Sequence, residues 1–156
     1  MTCAVAADTK LETPEGPLTV KGVGGSPTAV MTRTDDGVIR FSMSSGVEKI
    51  GDAQPVLRLT LDNGRTLRLG AAQVLLGRDD AELRAGDLVV GDALQNAFAF
   101  KVGYEYRTDA GEMRISDGCV VVSRVEPAGD ADLYRLTVKR TGRFVFSCGL
   151  IGRAAP

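Results

Sequence analysis

Leucines alternate with polar residues on either side of Asp62-Asn63-Gly64: Leu57, Leu59 and Leu61 before it, Leu67 and Leu69 after it. Period-two alternation predicts two half-buried strands joined as a hairpin. A two-residue Asn-Gly loop would set Leu61 against Thr66 and Thr60 against Leu67, mixing the faces. A three-residue loop with Gly64 in the left-handed region sets Leu59 against Leu67 and Leu57 against Leu69. The second register keeps one apolar face and is the one expected, with Arg58 beside Arg68 on the exposed side.

The same reading extends along the chain. The opening residues predict a short strand, a Pro-Glu-Gly turn at 14–16 and a second strand from Leu18 to Val20, followed by a glycine-rich loop over 22–27. Ala29 to Met43 predicts a hairpin turning at Asp35-Asp36-Gly37, with Met31 opposite Phe41 and Ala29 opposite Met43 as an apolar row. Ser44 to Gln54 reads as a polar connection. Gly77 to Asp80 turns, Ala81 to Arg84 reads as one helical turn ended by Gly86, and Leu88 to Val90 as a short strand. Gly91 to Phe100 carries the least pattern.

Lys101 to Ile115 predicts a hairpin about a four-residue loop, Thr108 to Gly111, pairing Tyr106 with Met113, Tyr104 with Ile115 and Arg107 with Glu112. Gly118 to Val125 predicts a strand and Pro127 to Asp130 a turn. A last hairpin, Leu133 to Cys148, would turn at Arg140-Thr141-Gly142 and pair Val138 with Phe144, Leu136 with Phe146 and Tyr134 with Cys148. Many short strands and almost no helix make this an all-β chain, expected to form one domain over residues 1–156.

Composition narrows the chemistry. Of 156 residues, 44% are hydrophobic and 25% charged, with a net charge of −1 and both signs interspersed. That balance gives no electrostatic case for nucleic acid or an anionic membrane, and no apolar run reaches the length of a membrane span. The first ten residues lack the basic start and apolar core of a signal peptide, so a cytoplasmic location is expected, and a monomer. Cys3, Cys119 and Cys148 are odd in number and far apart, suggesting neither a disulfide framework nor a zinc site. The chain has no histidine, which removes the commonest general base and the commonest metal ligand together. No cofactor and no metal are expected.

Four stretches, in order, resemble the motifs of the Hint family, the hedgehog and intein autoprocessing domains. Ala4 to Thr9, followed by Leu11, Thr13, Glu15 and Gly16, is similar to the opening motif, in which a Cys or Ser nucleophile precedes Asp-Thr by four residues. VLRLTLDNGRTLRLGAAQVLL resembles the second motif, a strand and glycine turn leading into Thr-x-x-His. AELRAGDLVV is similar to a Leu-x-x-Gly-Asp-x-Val strand entry, and LYRLTVKRTGRFVFSCGLIGRA to the closing motifs that end in His-Asn. No endonuclease insertion is visible. The resemblance implies a flat, pseudo-symmetric β fold over a recognisable core of about 4–154, whose two chain ends meet at one active site. Its partners would be its own flanking polypeptide segments.

The family chemistry is an N–S acyl shift by the first nucleophile, assisted by the second-motif His, then cyclisation of the terminal Asn. This chain departs at each point. Ala4 holds the nucleophile position by its spacing to Asp8-Thr9, Gln73 replaces the His, and Arg153 and Ala154 stand where His-Asn would be. The resemblance therefore implies a splicing or autoprocessing domain that is inactive or slowed, or else a degenerate domain kept as a structural or protein-binding module.

Cys3, one residue early, reads either as a displaced nucleophile or as a remnant of upstream sequence; the second is preferred because an activated thiol needs a nearby base or cation. Gln73 reads as a hydrogen-bond donor to the scissile carbonyl or as a polar loop residue, and an amide cannot shuttle a proton at neutral pH. Arg153 reads as a ligand for a carbonyl or oxyanion, or as solvated. Cys148, near the closing motif, reads as a small core residue with a chemical role left open, and Cys119 as core. Asp8 and Thr9 are expected to organise the first loop through side-chain to backbone hydrogen bonds.

Overall fold

The computed structural model describes residues 3–155. In chain order the strands are β1 (Val5–Ala6), β2 (Lys10–Thr13), β3 (Gly16–Thr19), β4 (Thr28–Arg33), β5 (Ile39–Ser44), β6 (Val47–Leu61), β7 (Thr66–Leu69), β8 (Val74–Leu76), β9 (Glu82–Arg84), β10 (Ala93–Gln95), β11 (Glu105–Arg107), β12 (Met113–Ile115), β13 (Cys119–Leu136), β14 (Arg143–Val145) and β15 (Ile151–Arg153). One helical turn, α1 (Val20–Val23), interrupts them. The all-β expectation holds. No helix among the described residues is long and apolar enough to cross a membrane.

Two sheets carry the architecture. One runs β1-β7-β6-β13-β10, with β1 also pairing β13, and the other runs β14-β15-β8-β9. β6 and β13 are the long members and pair along most of their length, from Leu61 opposite Val122 to Val47 opposite Leu136. Leu59, Leu61, Leu69, Leu75, Leu94, Val122, Leu136, Phe144, Phe146 and Leu150 fill the core between the elements.

The β6–β7 hairpin has the expected register: Leu59 faces Leu67, Leu57 faces Leu69 and Arg58 faces Arg68. Gly64 takes φ +81° in the three-residue loop, a value reserved in practice for glycine. The β4–β5 register is also as read, but its apolar row looks outward: Phe41 and Met43 are exposed while Val30 and Thr32 are buried. Thr32 can be buried because its hydroxyl reaches Thr141 Oγ1 at 2.6 Å and donates to the Arg143 carbonyl at 2.7 Å.

Several expected elements differ. Residues 20–23 form a helical turn because the Thr19 hydroxyl caps Gly22 N–H at 3.0 Å, letting Val20 and Val23 point inward together. Residues 47–54 are strand, not connection; ladder bonds to β13 need no apolar side chains, and most of these side chains are exposed. Glu82 to Arg84 extend against β8, with Leu83 opposite Leu75, instead of coiling. Leu88 to Val90 form no strand; the unpatterned stretch supplies β10, which pairs with the start of β13.

The β11–β12 hairpin closes with a three-residue loop in which Gly111 takes φ +84°, so Arg107 faces Met113 and Glu105 faces Ile115, one residue from the expected register. Pro127 to Asp130 make a bulge inside β13, not a turn. The hairpin expected over Leu133 to Cys148 does not form. Tyr134 and Leu136 pair with Lys49 and Val47 of β6, while Phe144 and Val145 pair with Gly152 and Ile151.

Asp80 ties β4 to β10, accepting from Arg33 Nη1 at 2.7 Å and Gln95 Nε2 at 2.6 Å. Burial pushes its carboxyl up, but the Gln95 and Arg33 donors outweigh it and hold the pKa below the ordinary value. A depressed folded-state pKa adds stability that is present above the unfolded-state value and lost as the pH falls through the folded one. Asp80→Asn is expected to lower the urea midpoint near neutral pH and to flatten its decline below about pH 4. An unchanged acid limb would show that other carboxylates govern it.

Candidate functional site where the chain ends meet

β1 lies between β7 and β13, with Val5 opposite both Leu69 and Tyr134. That placement carries the first described residues to the end of β7. Gly70 N–H donates to the Ala4 carbonyl at 3.0 Å, and a side chain at Gly70 would crowd it, since a Cβ there would lie 3.2 Å from that oxygen. Ala4 is buried. Cys3 is half-buried, its thiol donating a weak bond to the Ala72 carbonyl at 3.9 Å.

From β7 the chain turns through Gly70 to Gln73, closed by Gln73 N–H to the Gly70 carbonyl at 3.1 Å. Gln73 is 1% exposed. Its carboxamide donates to the Val74 carbonyl at 2.9 Å and across to the Arg153 carbonyl at 3.0 Å. Ala154 N–H donates to the Gly142 carbonyl and Ala155 N–H to the Leu136 carbonyl, both at 2.8 Å, and both alanines are buried. The opening strand, the second-motif turn and the closing strand are thus joined within one network of backbone carbonyls.

Thr9 and Asp8 fasten the first loop to β7. The Thr9 hydroxyl donates to the Arg68 carbonyl at 2.5 Å, and Asp8 accepts from Arg68 Nη1 at 2.6 Å. The Thr9 bond is of the expected side-chain-to-backbone kind, while Asp8 makes an ion pair instead, and both reach across to β7.

Solved structures of similar fold include inteins and an intein-like domain. A DnaB intein from Synechocystis sp. PCC 6803 superposes with a TM-score of 0.78 at 16% identity, covering 98% of this chain and 99% of that one. An intein-like domain from Clostridium thermocellum gives 0.75 at 14% identity over 98% and 99%. The DnaX mini intein from Spirulina platensis gives 0.70 at 11% identity over 96% and 98%. The chain has the intein fold. No family model matches its sequence, and no curated protein matches it.

Within the intein fold, the six candidate residues divide. Cys3, Ala4, Gln73 and the backbone of Arg153 and Ala154 gather at the chain ends. The Arg153 guanidinium turns away, pairing with Glu82 at 3.1 Å on the exposed side. Cys148 is not part of this group: it is buried in the core, its carbonyl accepts from Asn96 Nδ2 at 3.0 Å, and burial pushes its thiol up, away from thiolate. It borders a cavity of about 290 Å³ lined by none of the chain-end residues. Cys119 is half-buried at the edge of that cavity, less enclosed than its VVV run suggested.

Chemically, the chain-end group of the intein fold offers hydrogen-bond donors and a thiol, and no group that takes and returns a proton. No cluster of three His, Cys, Asp or Glu among the described residues could hold a metal ion. The carbonyls of Gly142 and Leu136, which hold Ala154 and Ala155, escaped sequence reading because backbone acceptors leave no side-chain signal.

Gln73→Ala removes both carboxamide bonds and leaves the Val74 and Arg153 carbonyls, partly buried, short of a donor. The expected cost is about 1–3 kcal/mol, with faster amide exchange at Gly152 to Ala155. Unchanged exchange in that strand would show that Gln73 does not hold it.

Proposed function

We propose that this chain is an intein-like autoprocessing domain, spanning residues 1–156, in which the scaffold is kept and the full reaction is lost. Its partners are its own flanking segments. The observation that carries this reading is the carboxamide of Gln73 bonded to the Arg153 carbonyl: the second-motif position touches the closing strand, although its side chain can no longer transfer a proton.

Each step of the family chemistry has a local obstacle. The methyl of Ala4 cannot attack a carbonyl. Ala154 has no side-chain amide to cyclise, so the far junction cannot be released that way. The one first step left is an N–S acyl shift at Cys3. Its sulfur would attack the Thr2 carbonyl carbon, the Thr2–Cys3 C–N bond would break, a thioester would form, and the thiol proton would end on the freed amine. Gln73 cannot relay that proton, so the step is slow.

A second reading has its own support. Both carboxamide hydrogens of Gln73 are spent on the protein's own carbonyls, as a structural staple would spend them. The chain would then serve as a structural or protein-binding module. Flanking the chain with two reporter domains separates the readings. Mass spectrometry after incubation with dithiothreitol should show the unaltered sequence intact, or cleaved slowly at Thr2–Cys3. Cleavage that persists in a Cys3→Ala variant would rule out the acyl shift at Cys3.

A further inference from the structure

The hairpin β11–β12 joins no larger sheet, and Met113 and Ile115 on it are 57% and 68% exposed. Its ladder decides which backbone groups point outward. Thr108 N–H donates to the Glu112 carbonyl and Ser116 N–H to the Tyr104 carbonyl, with Tyr106 opposite Arg114 between them. Alternation makes Tyr104, Tyr106 and Thr108 the inward-bonding residues of this arm. The N–H and C=O groups of Glu105 and Arg107 therefore face the open edge, and no other backbone group among the described residues bonds them. Both side chains are exposed, and neither has an ion partner among the described residues.

An open edge invites another strand, and natural proteins usually blunt it with charge. Here the charges fit a copy of themselves. A two-fold axis through Tyr106 sets Glu105 opposite Arg107 of the second copy, and Arg107 opposite its Glu105. The same axis sets outward-facing backbone groups against outward-facing ones, so two hydrogen-bonded pairs form, with four bonds in all. We propose that β11 is the seam of a symmetric dimer in which a second copy of this chain adds its own β11 antiparallel.

The two hairpins become a four-stranded sheet. Because Glu105 faces Ile115 and Arg107 faces Met113, the interchain ion pairs share one face with the exposed Met113 and Ile115 of both copies. The other open edge, β12, is a poorer seam: Arg114 is already engaged by Asp62 at 3.2 Å and Glu112 at 3.5 Å. None of the chain-end residues lies in the hairpin, so the dimer stands or falls independently of the autoprocessing reading.

Sedimentation equilibrium on the full chain tests it, up to about 1 mM protein, the weak end of specific association. The weight-average mass is expected to climb toward twice that of the chain. Glu105→Arg or Arg107→Glu alone turns two opposite-charge pairs into two like-charge ones, weakening the dimer about tenfold. An equimolar mixture of the two single variants, and the double variant Glu105→Arg/Arg107→Glu, should regain association because complementarity returns. Circular dichroism confirms that each variant is folded. A monomer at every concentration, single variants that associate like the parent, or a mixture and double variant that stay as weak as the singles would each overturn the proposal.

Discussion

Phe146→Ala is expected to destabilise the fold by about 3–5 kcal/mol, the largest loss from one side chain considered. The ring is fully buried and meets Phe144 edge-on, with centroids 4.9 Å apart and planes at 69°. Its backbone joins distant parts of the chain: Phe146 bridges to Leu11, and Ser147 N–H donates to the Lys10 carbonyl at 2.9 Å. The space left by the ring cannot easily be refilled. Gly152 lies against it, a Cβ there falling 2.9 Å from both phenyl rings, and glycine has no side chain to move inward. The urea midpoint should fall by about 2 M if unfolding stays two-state. Phe41→Ala, on the outward face of its hairpin, serves as the control and should change stability by no more than about 0.5 kcal/mol. Equal effects would mean that the two rings are packed alike, contrary to their burial.

The contrast between two hairpin readings shows what the sequence could reveal. Around Gly64 the apolar alternation, the turn residues and the pairing partner all lie within fifteen residues, so local rules settle the register. From Leu133 to Cys148 the alternation is just as regular, yet β13 binds β6, about ninety residues earlier, and β14 binds β15. Alternation says that a strand is half-buried and says nothing about which strand lies beside it. The polar start of β6 carries no such signal for the reverse reason: a ribbon wet on both sides needs no apolar period. At Thr108 to Gly111 the sequence predicts a four-residue loop, whereas left-handed Gly111 closes three, as Gly64 does in its own hairpin.

The candidate site was legible only through the order of the motifs. The meeting of Ala4, Gln73 and Arg153 depends on β1 entering between β7 and β13, a pairing spread over some 130 residues that no local pattern encodes. The Gln73 carboxamide reaching the Arg153 carbonyl has the same character. Cys148 shows the limit in the other direction: close to the closing motif in sequence, it is turned into the core, where burial pushes the thiol's pKa up.

The largest change in activity should come from returning the missing chemistry to the intact scaffold. Ala4→Cys supplies a nucleophile one residue after Cys3, beside the Gly70 turn. Gln73→His supplies a group that can carry a proton between the attacked amide and solvent. Ala154→Asn supplies the carboxamide that can close on its own carbonyl carbon and release the segment beyond it. Each replaces a buried residue, so folding must be checked by circular dichroism before activity is read.

The most direct measurement is the intact mass of a reporter-flanked protein carrying Ala4→Cys, Gln73→His and Ala154→Asn, after incubation with dithiothreitol. Cleaved product in far greater yield than from the parent sequence under the same conditions is the expected result, and cleavage without splicing, because Ala155 offers no nucleophile beyond the restored Asn. A folded triple variant that stays at full length would contradict the autoprocessing reading and leave Gln73 as a structural staple.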